Sequence, residues 1–229
     1  MKKPQVCVII PTLNEAESIG RVIDDIPRPA LEAKGYQVEV MIIDGGSTDG
    51  TIQIAEEKGV QVAIEPRRGK GRAMRTALPM TQADYVFMLD GDNTYPPAYI
   101  TEMLEMLHSY PVVIGSRLRG QIEPGGMSRL NLIGNHLLTL LANVMYRTRI
   151  SDLCTGYWGF RGEVIPRLTL LADGFDFEAE LFVQVAKKGY LIGEVPIYYR
   201  RRRTPPKLNS IEDGLKIAWA LVQRRFRAN

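Results

Sequence analysis

Val6-Cys7-Val8-Ile9-Ile10-Pro11-Thr12-Leu13-Asn14-Glu15 opens with five apolar residues and breaks at a proline into polar ones. An apolar run of that length, bounded by a turn signal, reads as a strand buried on both faces, as in a parallel sheet covered by helices. Similar runs return at 39–43, 60–64, 85–89 and 112–115, with helical stretches between them. This alternation predicts an α/β fold with a mostly parallel, Rossmann-like sheet flanked by helices. Helix-start signals agree with it: Asn14 with Glu17 three positions on has the form of a capping box, and Asp49 is placed to cap a helix beginning near Thr51.

The second half is less regular. Residues 120–126 read as a loop rich in glycine, proline and charge, followed by a helix over 129–146 with Leu130, Ile133, Leu137, Leu141 and Val144 at helical spacing. Further helices are expected at 177–188 and 211–226, with a strand at 191–198 between them. No repeat, low-complexity tract or linker interrupts the chain, so a single domain over 1–229 is expected.

Of 229 residues, 45% are apolar and 24% charged, the composition of an ordinary globular domain with a substantial core. Net charge is only +3, but the basic residues cluster: Arg67, Arg68, Lys70, Arg72 and Arg75; Arg200 to Arg203 with Lys207; and Arg224, Arg225 and Arg227. Such clusters point to anionic partners. The two cysteines, Cys7 and Cys154, suggest neither a disulfide framework nor a four-ligand zinc site. The apolar start is too short for a signal segment, and no run reaches the roughly 18 apolar residues of a membrane span. A cytoplasmic protein with peripheral membrane contact is expected.

Three polar turns follow expected strands: Pro11 to Glu15, Asp44-Gly45-Gly46-Ser47-Thr48-Asp49-Gly50, and Asp90-Gly91-Asp92-Asn93. In such sheets ligands bind beyond the carboxyl ends of the strands, which places all three turns on one rim. Asp90 and Asp92 flank a glycine that allows a sharp turn, and their carboxylates suit a hard divalent cation that also holds a diphosphate. Gly69-Lys70-Gly71 offers unpaired helix-start N–H groups and a cation to an anion.

Val8-Ile9-Ile10-Pro11-Thr12-Leu13-Asn14-Glu15, Ile43-Asp44-Gly45-Gly46-Ser47-Thr48-Asp49-Gly50-Thr51, Asp90-Gly91-Asp92 and Glu194-Val195-Pro196-Ile197 resemble the family 2 glycosyltransferases of the GT-A fold. The likeness spans nearly the whole chain. It is strongest to the branch of dolichyl-phosphate mannose synthases and polyprenyl-phosphate hexosyltransferases. The resemblance implies that Pro11, Leu13 and Glu15 line a nucleotide pocket, that Asp44 contacts the nucleoside, and that Asp90 and Asp92 hold Mg²⁺ or Mn²⁺. Gly91, Asn93 and Lys70 belong to the same nucleotide-sugar site. The branch usually has Asp-Asp where this chain has Asp44-Gly45, and often Tyr where Leu13 stands. GDP-mannose, UDP-glucose and UDP-N-acetylglucosamine therefore stay open as donors.

The acceptor follows from chemistry. An enzyme acting on a sugar hydroxyl must deprotonate it, and hydroxyl-directed relatives often carry Gln-x-x-Arg-Trp, which this chain lacks. A lipid phosphate is already ionised and can attack the anomeric carbon if cations hold it in line. By resemblance, Arg117, Arg129, Arg201 and Lys207 bind that phosphate, and Asp92, Arg117 and Arg201 carry the catalytic burden. The expected function is inverting transfer of a hexose from a nucleotide sugar to a polyprenyl or dolichyl phosphate at a membrane surface. Residues 1–116 form the donor half and 117–229 the acceptor half, in which Trp219 and Phe226 could anchor at the interface.

The segment Asp152-Leu153-Cys154-Thr155-Gly156-Tyr157 resembles the branch's sugar-side loop, so that Asp152 and Thr155 could meet sugar hydroxyls, with Glu178 orienting the sugar. In the alternative reading, transfer to a sugar hydroxyl, Asp176 or Glu178 is the base. A nucleotidyltransferase would need a glycine-rich loop after the first strand. A nucleic-acid-binding module is disfavoured because acidic turns interrupt the basic clusters and regularly spaced aromatic platforms are missing.

Overall fold

The computed structural model describes residues 3–174, 176–204 and 210–226. Its strands are β1 (Gln5–Thr12), β2 (Gln37–Asp44), β3 (Gln61–Ile64), β4 (Tyr85–Met88), β5 (Val112–Ile122), β6 (Trp158–Arg161) and β7 (Ile192–Tyr199). They form one sheet in the order β3-β2-β1-β4-β6-β5-β7. Neighbours run parallel except at β6, which is antiparallel to both β4 and β5. The expected α/β fold is therefore the observed one. The helices are α1 (Ala16–Asp24), α2 (Arg28–Ala33), α3 (Thr51–Glu57), α4 (Lys70–Ala77), α5 (Ile100–Leu107), α6 (Arg129–Tyr146), α7 (Phe177–Lys187) and α8 (Ser210–Phe226).

Alternation along β1 explains its apolar run. Cys7 and Ile9 join a core with residues of α4, α6, α7 and α8 on one side of the sheet, while Val6, Val8 and Ile10 join another with α1 and α5. Each side chain of the run is fully buried because each face is covered.

Three expectations needed correction. Asn14 does not cap a helix: its φ is 52°, and its side-chain oxygen accepts from Thr48 N at 2.9 Å. The start of α1 is instead satisfied from the neighbouring loop, where Asp49 accepts from Ala16 N at 3.0 Å and Thr51 Oγ1 accepts from Glu15 N at 2.8 Å. The 120–126 loop is shorter than expected, because β5 continues to Ile122 and pairs again with β7 beyond an irregularity between Ser116 and Gln121. Finally, β6 was not anticipated. Four residues with a central glycine carry little strand signal, and β6 is held in place by β4 and β5 on either side.

The pair α6 and α8 packs together, tied by Tyr146 Oη donating to Leu221 O at 2.7 Å and Arg225 Nε donating to Met145 O at 3.0 Å. Ala142 and Leu221 face the core. Leu130, Ile133, Leu137, Leu140 and Val144 on α6, and Ile211, Leu215, Trp219 and Phe226 on α8, are largely exposed. Among the described residues no helix is long and apolar enough to cross a membrane.

Candidate functional site

Because β1, β2 and β4 are parallel neighbours, the turns that follow them share one edge of the sheet. Pro11 stands at the end of β1 with Leu13 and Glu15 in the turn beyond it, Asp44 is the last residue of β2, and Asp90, Gly91, Asp92 and Asn93 follow β4. The register pairs Thr12 with Asp44, and Thr12 Oγ1 donates to Asp44 Oδ2 at 2.7 Å. Asp44 also accepts from Gly46 N at 2.9 Å, Ser47 N at 2.7 Å and Ser47 Oγ at 2.7 Å, and it is fully buried. Its carboxylate sets the shape of the loop after β2.

Gly91 has an ordinary backbone conformation, and the left-handed residue of that turn is Asn93, with φ of 63°. Glycine is needed at position 91 for room, since a Cβ there would lie 2.9 Å from Thr12 Cγ2. The turn is completed by Thr94, whose N and Oγ1 donate to Asp92 Oδ1 at 3.1 and 2.6 Å. Gly156 serves Asp90 in the same way: a Cβ there would meet Asp90 Oδ2 at 2.6 Å and Lys70 Nζ at 3.1 Å. The 152–157 segment is therefore pressed against the carboxylate pair.

Each carboxylate of the pair is met by a cation. Lys70, the first residue of α4, forms an ion pair with Asp90 and a second one with Glu178 at 2.5 Å. Burial opposes the charge on Lys70, but Asp90 and Glu178 outweigh it and raise its pKa well above the ordinary lysine range. Burial, and after it the charge of Asp90, pushes the Asp92 carboxyl up against the pull of Arg202. Glu178 is likewise pushed up by burial, partly offset by Lys70. Arg202 bridges Glu15 at 2.8 Å and Asp92 at 3.2 Å.

Arg202 was not among the expected residues. No signal in the sequence singles it out: the buried positions of β7 are Gly193, Val195 and Ile197, so period-2 alternation would turn Arg201 inward, whereas beyond the strand Arg200 and Arg202 are half-buried and Arg201 and Arg203 exposed. Arg200 donates to Asn93 Oδ1 at 2.5 Å, so the inward parity points at the turn after β4. Arg201 lies over Gly125, and its amide donates to Glu123 Oε2 at 2.6 Å, on the connection that leads to Arg129. Arg129 opens α6 as an exposed residue behind the Ser128 cap. Lys207 lies outside the described residues.

Arg117 is buried and grips Asp152 through Nε and Nη2, each at 2.8 Å, with its guanidinium 5.4 Å from the centre of the Tyr199 ring. Burial opposes its charge, and Asp152 more than restores it. Asp152 and Thr155, expected to meet sugar hydroxyls, both have partners within the protein. Asp152 is committed to Arg117, and Thr155 Oγ1 donates to Gly115 O at 2.6 Å. Asp176 faces Arg224 at 3.6 Å, and Glu178 is engaged by Lys70. Among the described residues no cluster of three or more His, Cys, Asp or Glu is arranged to hold a metal ion with protein ligands alone.

A family model described as Glycosyl transferase family 2 matches residues 7–169. The glycosyltransferase AglJ of Haloferax volcanii is 39% identical over 228 residues, covering 98% of this chain and 73% of that protein. A dolichyl-phosphate hexose transferase of the same organism is 32% identical over 219 residues, covering 95% and 92%. The low-salt glycan biosynthesis hexosyltransferase Agl6 is 35% identical over 215 residues, which amount to 92% of this chain and 51% of its own. Glucosyl-3-phosphoglycerate synthase from Mycobacterium tuberculosis, solved with Mn²⁺, uridine diphosphate and glucosyl-3-phosphoglycerate, superposes with a TM-score of 0.76 at 23% identity. The alignment covers 99% of this chain and 81% of that one. That likeness is one of fold.

Proposed function

This chain belongs to glycosyl transferase family 2, and on that premise we propose that it transfers a hexose, with inversion, from a nucleoside-diphosphate sugar to a polyprenyl or dolichyl phosphate. The observation that carries the lipid part is the outward apolar face of α6 and α8. Nine large apolar side chains there are exposed, from Leu130 to Phe226, with Arg129, Arg147 and Arg225 among them. An apolar face flanked by cations suits the surface of an anionic bilayer, where a lipid acceptor resides. The relative named dolichyl-phosphate hexose transferase supports the same acceptor class. We place the protein at the cytoplasmic face of the membrane.

The donor half, 1–116, would bind the nucleotide sugar through Pro11, Leu13, Glu15, Asp44, Lys70, Gly91 and Asn93. Asp90 and Asp92 would hold Mg²⁺ or Mn²⁺. The residues present fit such an ion: Asp90, Asp92 and Glu178 outnumber the cations Lys70 and Arg202 that touch them, and the donors are hard oxygens. A fold relative crystallised with Mn²⁺ and uridine diphosphate is in keeping with this. Bound there, the ion would neutralise charge that develops on the departing diphosphate. The acceptor half, 117–229, would bind the lipid phosphate with Arg129 and Arg201 on the rim, Arg202 deeper and Lys207 as a further cation, while Arg117, whose Nε and Nη2 edge is taken by Asp152, would offer its remaining nitrogen. Guanidinium groups suit phosphate because their planar fork meets two oxygens at once. The acceptor oxygen is already ionised, so no side chain need remove a proton, and Asp176 and Glu178 are left to their ion pairs.

The test is transfer of labelled sugar to a short-chain polyprenyl phosphate, run beside the unphosphorylated polyprenol and a panel of free sugars, with and without excess EDTA. Transfer to the phosphate alone, lost with EDTA, is expected. Glycosylation of free sugars with the phosphate ignored would overturn the lipid reading and make Asp176 or Glu178 the leading base.

A further inference from the structure

Lys70 is enclosed between two carboxylates, one of which is Asp90, and the three groups are drawn from three different segments. Asp90 follows β4, Lys70 opens α4, and Glu178 lies in the first turn of α7. The side chains of Lys70 and Glu178 are only 12% and 10% exposed, against 28% for Asp90. The ammonium thus sits on the inner side of Asp90, backed by Glu178. Gly156 closes the cluster, leaving no space for a Cβ beside Asp90 Oδ2 and Lys70 Nζ.

We propose that Lys70 is a built-in counter-ion for Asp90, and that Glu178 is the positioning residue onto which Lys70 withdraws when a divalent cation takes Asp90. The inference rests on the reading of Asp90 and Asp92 as metal ligands. A carboxylate already paired with an ammonium in a half-buried site is a poor ligand until that ammonium has somewhere else to go. Glu178 provides the place at hydrogen-bond distance, so the lysine keeps a partner in both states and no buried charge is stranded. Two carboxylates leave positions of a divalent cation open, and oxygens of a diphosphate would suit them. Ion and nucleotide would then bind with positive coupling, and Lys70 sets its size. Glu178 acts through Lys70 and not as a base.

The experiment is titration of Mn²⁺ into the full chain, followed by the electron paramagnetic resonance signal of free Mn²⁺, with and without a nucleoside diphosphate. In the wild type, affinity for Mn²⁺ should be weak alone and rise on adding nucleotide. Lys70→Met should tighten Mn²⁺ binding without nucleotide by at least about tenfold, since the competing charge is gone. Glu178→Gln should weaken it, because Lys70 is then left to Asp90 alone. In the double variant Lys70→Met/Glu178→Gln, the effect of Glu178→Gln should largely vanish. Additive effects would mean a general field and not a shuttled lysine, and would overturn the proposal. Should Lys70→Met fold poorly, Lys70→Gln and the Glu178→Gln titration keep the comparison. If the wild type binds Mn²⁺ with nucleotide but Lys70→Met gains nothing without it, the counter-ion role fails and the metal reading stands. No Mn²⁺ binding in any form overturns both.

Discussion

Arg117 and Asp152 meet edge to edge, with Nε and Nη2 each 2.8 Å from a carboxylate oxygen and the Arg117 amide adding a third bond at 2.9 Å. Asp152 is fully buried and Arg117 nearly so. Removing the acid would strand a buried guanidinium. Asp152→Ala is expected to cost about 3–5 kcal/mol, the range for breaking a buried pair from one side. Denaturant unfolding measures it, and a loss below about 1 kcal/mol would show that water reaches Arg117.

Asp44 is expected to couple nucleotide affinity to loop shape. Its four accepted bonds, from Thr12, Gly46 and twice from Ser47, hold the turn after β2. Asp44→Ala should weaken nucleoside-diphosphate binding by about 1.5–3 kcal/mol, the worth of hydrogen bonds to a charged group. Calorimetry tests this, and unchanged affinity would remove Asp44 from the donor pocket.

The thiols give a pH prediction. Burial pushes Cys7 from 9.0 up to about 11 and Cys154 up to about 12. A group whose pKa is raised on folding leaves stability intact below its unfolded value and erodes it as pH climbs toward the folded one. Stability should therefore hold to about pH 9 and fall between there and pH 11–12, by about 1.4 kcal/mol per unit for each thiol. The replacements Cys7→Ala and Cys154→Ala should flatten that part of the profile. Cys7 should not react with iodoacetamide at pH 8 in the folded protein, and its rapid labelling would contradict its burial.

The apolar face of α6 and α8 makes membrane binding testable without activity. The protein should sediment with phosphatidylglycerol vesicles, and the Trp219 emission should shift to the blue. Leu137→Glu with Leu140→Glu should hold the protein in the supernatant while near-ultraviolet circular dichroism stays unchanged, since both residues are about 60% exposed. Wild-type protein that ignores vesicles and forms a stable dimer in light scattering would assign this face to a second copy.

The sequence by itself determined the sheet apart from β6, and the edge to which its polar turns go. Apolar runs such as 6–10 are legible because burial on both faces leaves no polar position, and turns such as Asp90-Gly91-Asp92 are legible because a parallel sheet sends every following loop to one end. Helix α6 was readable to its last residue from its periodicity, and the structure adds the Ser128 cap at its start.

What only the tertiary structure decided is which polar groups meet. Lys70 and Glu178 are 108 positions apart (178 − 70), and Glu15 and Arg202 are 187 apart, so no local pattern could pair them. Asp152 and Arg117 are 35 positions apart and meet only in the fold, and β6 is a strand because β4 and β5 leave a gap with unpaired backbone on both sides. Spacing along the chain fixes the period of an element and the face it hides. The partner of a buried charge is fixed by whichever segment the packed core brings within about 3 Å, and that depends on the whole fold.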